Sequence, residues 1–319
     1  MNVRRLIPGT AVAAATVLGL TALTACSGES AAAGNTDTFD VVASFYPMAF
    51  LAEQIGGDHV KVSTLTEPGQ EPHDLEISAK QRVTVEEADA VLYLKGLQSS
   101  VDDTVAQSGV KTKIDAAELT TLEEHGTEVG GHEEEEEEGH DHEAEGGLDP
   151  HVWLDPVKYA EVAEGVGAAF EKADPDHAAD YEKNTAALVT KLNALNTKFE
   201  TGLANTGTKV FITTHAAFGY LAERYGLTEE AISGLDPESE PSAARVKELQ
   251  TMAKADGVTT VFYETLVSDK TAKTLAKDAG LKTDVLDPIE GITDASRGDD
   301  YFAVQEANLT ALQTALGTK

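Results

Sequence analysis

Residues 39–46 (FDVVASFY) are apolar or small almost throughout and end at Pro47, which predicts a β-strand. A short helix over 48–55 follows and stops at Gly56-Gly57. Strands over 59–65, 88–94 and 110–114 then alternate with helices over 78–88 and 102–108. Such alternation predicts a layered α/β structure with a parallel sheet. Beyond residue 150 the pattern changes. Asp155-Pro156 signals the start of a helix that runs to 172, with proline tolerated in its first turn. Asp174-Pro175 repeats the signal, and neither Gly nor Pro recurs until Gly202. Leu188, Leu192, Leu195 and Phe199 are spaced by four, three and four residues, which makes one apolar stripe. A helix of ~28 residues here would be ~42 Å long. The alternation then resumes, with strands over 209–213, 231–233, 258–263 and 282–286. Helices are predicted over 217–225, from Pro241 to 255, and over 269–279 and 302–316. The reading is two α/β lobes, 39–172 and 206–319, joined by one long helix over 173–205. No convincing sequence repeat relates the lobes.

The first residues stand apart from this pattern. A basic start containing Arg4-Arg5 precedes an apolar run from Leu6 to Thr24, and Leu23-Thr24-Ala25-Cys26 closes it. This reads as a signal peptide over 1–25. Its ending resembles the bacterial lipobox, in which the cysteine becomes the lipidated first residue. Cys26 is the only cysteine, so a disulfide framework is excluded. Residues 26–38, small and polar, read as a flexible tether. The expected location is the extracytoplasmic face of the cell membrane, anchored through lipid on Cys26.

Formal charge sharpens the choice of partners. The chain carries −32, and the stretch 123–145 holds twelve acidic and no basic residues. Nucleic acid is excluded as a partner, because phosphate contacts need a basic patch. A cation suits such a surface. The acidic loop, 123–147, contains His125, His132, His140 and His142. It reads as a solvated charge run that also binds metal weakly, and as dispensable for holding an ion tightly.

Four candidate ligands lie past strand ends or in loops that strands feed: His73, His151, His215 and Asp287. In open α/β sheets that edge is where ligands bind. A cleft between the lobes would gather them. Three imidazoles and a carboxylate form a closed tetrahedral set suited to Zn2+, whereas Mn2+ prefers more oxygen. Taken singly, a loop histidine is more often solvated or hydrogen-bonded than metal-bound. Asp287 before Pro288 could equally be turn chemistry. Trp153 reads as core or cleft wall.

The motifs EPHDLE, DPHVWLDP, TTHAAFGY, FYETLVSDKTAKTLAKDAG and VLDPIEG together resemble the zinc-binding solute-binding proteins of bacterial ABC transporters. The resemblance covers nearly all of the chain after the signal peptide. It implies a rigid linking helix, a metal site in the interlobe cleft, and His73, His151 and His215 as ligands. Asp287 matches the family's aspartate, while Glu71 or water takes that place in some members. Related manganese binders carry a glutamate where His215 stands, so histidine there favours zinc. The expected function is capture of Zn2+ and delivery to an ABC-transporter permease, by a monomer without enzymatic activity. The alternatives are a manganese or broader divalent-metal binder, a zinc hydrolase and a surface adhesin. Against a hydrolase, the chain lacks a His-Glu-x-x-His helix, and a fourth protein ligand would close the site. Nothing in the residues beyond surface location points to adhesion.

Overall fold

Strand β1, Phe39–Ala43, is buried on both faces, as a central parallel strand must be. Val41 and Ala43 join the main core while Val42 faces a separate cluster, following the two-residue alternation of a strand. The computed structural model describes residues 38–126 and 147–318. The signal peptide, Cys26 and the loop histidines His132, His140 and His142 lie outside them. Among the described residues no helix is long and apolar enough to cross a membrane.

In the first lobe β1 pairs in parallel with β2 (Val60–Thr64) and β3 (Ala90–Tyr93), and β3 pairs with β4 (Thr112–Asp115). The order is β2-β1-β3-β4. Helices α1 (Tyr46–Gly56), α2 (Ala79–Glu87) and α3 (Ser99–Gln107) make the crossovers. After α4 (Pro156–Ala173) and α5 (Ala178–Leu203), the second lobe repeats the design. Strands β5 (Val210–Thr213), β6 (Thr228–Ala231), β7 (Thr260–Tyr263) and β8 (Lys282–Val285) take the order β6-β5-β7-β8, again all parallel. Its helices are α6 (Gly219–Tyr225), α7 (Ala243–Ala255), α8 (Lys270–Ala279) and α9 (Tyr301–Leu316). The lobes are thus a structural repeat without a sequence repeat.

Several element boundaries differ from those the sequence predicts: β1 ends at Ala43 and Tyr46 already belongs to α1, and β6 and α7 are also displaced. Strand β6 is Thr-Glu-Glu-Ala, starting three residues before the predicted 231–233 and polar in composition. Its carboxylates are engaged by partners: Arg245 of α7 reaches Glu230 at 2.8 Å and the Ala231 carbonyl at 2.9 Å. Helix α7 starts after Ser242, whose hydroxyl accepts from the Arg245 amide at 3.1 Å, and not at Pro241. Ser242→Ala removes that cap and should cost about 1 kcal/mol, read as a lower urea midpoint for the metal-free protein.

The long helix is α5, with a 3-10 turn (Pro175–His177) before it. Asp174 does not cap it. Its carboxylate instead accepts from Tyr181 and His177, each at 2.7 Å. The stripe Leu188, Leu192, Leu195, Phe199 and Leu203 is buried in one core that contains side chains of both lobes. At one end of α5, Asn184 donates to the Ile55 carbonyl of α1 at 3.0 Å. At the other, Phe199 stacks on Tyr225 at 5.2 Å and Asn196 accepts from the Tyr225 hydroxyl at 3.0 Å. One helix therefore braces both lobes.

The lobes also meet directly through aromatics. Tyr301 of α9 lies 5.4 Å from Phe50 and 4.8 Å from Tyr159, and its hydroxyl donates to the Trp153 carbonyl at 2.6 Å. Trp153 is wholly buried, edge-on to Phe45. The Arg224 guanidinium of α6 grips Asp155, the N-cap of α4, through both carboxylate oxygens at 2.9 and 3.0 Å. These contacts place the C-terminal edges of the two sheets against each other.

Candidate metal centre

Each imidazole is presented by a loop with its own anchor. His73 follows β2, and the Glu71 carboxylate accepts from the amides of His73 at 3.1 Å and Asp74 at 3.3 Å. Gln98 donates to the Pro72 carbonyl at 3.1 Å and holds the loop from the other side. His151 precedes the 3-10 turn Val152–Leu154. His215 follows β5 in a loop pinned by Glu229, whose oxygens accept from Thr213 Oγ1 at 2.7 Å and the Phe218 amide at 3.0 Å. Burial pushes the Glu229 carboxyl up to about 7.

These loops converge. The ring centroids of His73, His151 and His215 are mutually 5.3 to 5.8 Å apart. A carboxylate meets them, and it belongs to Glu290. Its Oε1 lies 3.2 Å from His73 Nε2 and 3.5 Å from the Nε2 atoms of His151 and His215. All four ligand atoms fall within 4.8 Å of one another. In a tetrahedron with bonds of ~2.0–2.1 Å, ligand atoms stand about 3.3 Å apart, so the separations of Glu290 Oε1 from the three imidazoles suit a small tetrahedral ion.

Asp287, the carboxylate expected from the sequence, is not in this cluster. Its Oδ1 accepts from the Ile289 amide at 2.8 Å and its Oδ2 from Thr265 Oγ1 at 3.2 Å. Asn308 of α9 clamps the Asp287 backbone at 2.9 and 2.7 Å, and Trp153 Nε1 donates to the Pro288 carbonyl at 2.7 Å. Ile289 then takes a left-handed φ of 59°, a strained choice for a β-branched residue. The turn this builds points Glu290 at the imidazoles. Asp287 serves the turn. Glu71 likewise serves its own loop. His125 lies at the loop root and not in the cluster, its Nε2 3.1 Å from Glu223.

Groups behind the cluster orient it. His151 Nδ1 lies 2.7 Å from Asp149 Oδ1, and His215 Nδ1 lies 2.8 Å from Glu264 Oε1. Donation from Nδ1 to a carboxylate leaves each Nε2 lone pair facing the centre. The sequence reading missed Asp149, Glu264 and Glu290. Asp149 stands two residues before His151, a spacing at which a carboxylate reaches the following backbone and ring. Glu290 stands in the same LDPIEG segment as Asp287.

The electrostatics are those of a cation site. Burial opposes charge on His215, yet Glu264 and then Glu290 outweigh it and lift its pKa well above the ordinary imidazole value. Burial likewise opposes charge on His151, and Asp149 and Glu290 raise it. Burial alone would raise Glu290, but the three histidines hold its carboxyl well below the usual range. His151 Nε2, His215 Nε2 and Glu290 Oε2 are buried and have no hydrogen-bond partner among the described residues. Leaving such atoms unpaired is costly, and a metal ion would satisfy all of them at once. Three nitrogens and a carboxylate suit Zn2+ and fall short of the six to eight oxygens typical of Ca2+.

The family described as zinc-uptake complex component A, periplasmic (ZnuA) matches residues 41–315. The chain belongs to this family. Among ZnuA relatives, the zinc-binding lipoprotein AdcA of Streptococcus pneumoniae serotype 4 is 40% identical over 297 residues. That match takes in 91% of this chain but 58% of AdcA, so the chain spans little more than half of that relative. The high-affinity zinc uptake system protein ZnuA of Bacillus subtilis is 36% identical over 306 residues, covering 93% of this chain and 95% of its own. The crystal structure of the Zn(II)-bound ZnuA-like domain of S. pneumoniae AdcA superposes with a TM-score of 0.72 at 35% identity. It covers 88% of this chain and 99% of that one. The two parallel-sheet lobes are therefore the ZnuA-like fold.

Proposed function

We propose that this chain captures Zn2+ outside the cytoplasm and delivers it to an ABC-transporter permease, acting as a binding protein and not as an enzyme. The observation that carries this reading is the convergence of one ligand atom each from His73, His151, His215 and Glu290 within 4.8 Å, with His151 Nε2, His215 Nε2 and Glu290 Oε2 buried and unpartnered among the described residues. The relatives' names, zinc-binding lipoprotein and zinc uptake protein, agree with it. Lipid on Cys26 would hold the protein near its permease. Four protein ligands leave no open position for a catalytic water, which argues against hydrolysis. Three nitrogens argue for Zn2+ over Mn2+.

Release follows from the unequal shielding of the ligands. His151 and His215 are 0% and 1% exposed, whereas the His73 side chain is 11% exposed. Among the described residues nothing accepts from His73 Nδ1, while the other two rings are each held by a carboxylate. Helix α5 and the aromatic contacts oppose wide hinge opening. The His73 loop is the movable wall, and docking on the permease would displace it. A zinc-edge anomalous map of metal-loaded crystals should show one strong peak between the three Nε2 atoms and Glu290. A peak elsewhere, or none, overturns the assignment.

A further inference from the structure

We propose that His125, at the root of the acidic loop, is a positioning residue for the metal centre: it holds Asp149, and Asp149 holds His151. The proposal rests on the zinc-binding reading above. The Asp149 carboxylate is wholly buried and shared between two imidazoles. Its Oδ1 accepts from the His151 ring at 2.7 Å and from the His151 amide at 2.9 Å. Its Oδ2 lies 2.9 Å from His125 Nδ1. A carboxylate tied at one oxygen can swing about that bond. Tied at both, it has one orientation, and so does the ring it directs.

His125 is itself seated in a built cradle. Its ring stands edge-on to Tyr220, with centroids 4.5 Å apart. A Cβ at Gly219 would come within 2.5 Å of His125 Cβ and Cγ, so glycine is what admits the ring there. Gly126 has a φ of +71°, and a side chain there would press on Ala216 at 2.6 Å. The two ends of the loop are also sewn together. The Asp149 amide donates to the Glu123 carbonyl at 2.8 Å. The Tyr220 hydroxyl donates to the Asp149 carbonyl at 2.7 Å and accepts from the Glu123 amide at 2.8 Å. The stretch that can be removed without touching the centre therefore begins after Gly126, and not at Glu123 as the sequence alone suggests.

A competing role exists, since Glu123, His125 and Glu223 could together hold a cation. Lys158 already pairs with Glu123, at 2.6 Å, and donates to the Thr121 carbonyl at 2.8 Å. An ammonium in place favours positioning over a second metal.

The test compares four variants of the full chain by Zn2+ competition titration and by the visible spectrum of the Co2+-loaded protein. His125→Ala should weaken the tight site about tenfold, the low end for groups behind a ligand, and shift the Co2+ bands, with one tight equivalent retained. His125→Asn, whose Nδ2 can donate where Nδ1 did, should restore most of both. Gly219→Ala expels the ring without altering it and should copy His125→Ala. Removing residues 127–146 keeps the root and should leave tight affinity and spectrum unchanged. An unaltered affinity and spectrum in His125→Ala overturns the proposal. So does loss of a separate weak equivalent with the tight one intact, which would make His125 a ligand of its own site. If the unsubstituted protein binds no tight ion, the zinc reading fails instead.

Discussion

Replacing His151 by alanine should weaken Zn2+ binding by about a hundredfold or more. A four-ligand zinc site supplies ~10–16 kcal/mol, so one ligand accounts for roughly 3 kcal/mol of it, about two decades in affinity. No described neighbour can replace the lost ligand, because Asp149 and Glu264 are turned to the far side of the rings. The metal-free protein should suffer as well. Asp149 and Glu290 each lose a buried partner, and breaking a buried pair costs about 3–5 kcal/mol. The loss here belongs at the low end, since Asp149 keeps His125 and Glu290 keeps His73 and His215. Competition against a chromophoric chelator measures the first effect, and thermal unfolding in EDTA the second. Native-like affinity in a folded His151→Ala protein would remove this imidazole from the site.

The hydrophobic pattern shows the two lobes and the long helix, because buried strands and an apolar stripe leave periodic traces. The internal symmetry is silent in sequence, since any apolar residue of suitable size fills the equivalent core positions. Strand β6 is missed for a local reason. At Thr228–Ala231 the backbone ladder is favoured by tertiary partners, Thr213 on Glu229 and Arg245 on Glu230, which override a poor strand composition. The three imidazoles that the structure gathers are visible because histidines past strand ends are few. The carboxylate is harder. Asp287 and Glu290 share one hexapeptide, and what separates them is the left-handed turn at Ile289, clamped by Asn308 and Trp153 from distant segments. Nothing in LDPIEG itself announces that turn. The Asp-Pro pair signals turn chemistry, and turn chemistry is what Asp287 performs.

Acidification should weaken zinc binding while the metal-free protein becomes more stable, so the two forms should respond to pH in opposite directions. Burial disfavours charge on His215 and His151, but Glu264, Asp149 and Glu290 prevail and raise both rings above the ordinary value of 6.5. Three carboxylates face the cluster and its rear, enough to neutralise more than one imidazolium. Zn2+ requires neutral rings, so it must displace these protons on entry. With both rings protonated, affinity should fall by roughly a hundredfold between pH 6.5 and 5.5. Stability of the metal-free protein follows the opposite sign. A raised histidine contributes stability that is fully present below 6.5 and is lost as pH climbs through its folded value. The depressed Glu290 contributes stability that is present above 4.5 and is lost as pH falls through its folded value. Between 4.5 and 6.5 both contributions are complete, so the empty centre is held together by its own ion pairs in the range where zinc competes worst. Glu229 acts in the same direction. Burial lifts it from 4.5 to about 7, so its ionisation erodes stability across that interval. Unfolding temperatures in EDTA and in excess Zn2+, recorded from pH 8 to 5.5, should therefore converge as pH falls. Parallel curves would mean that protons and metal do not compete for His151 and His215. The same competition gives docking a smaller task in an acidic setting, because a ring that has begun to take up a proton has already begun to release the ion.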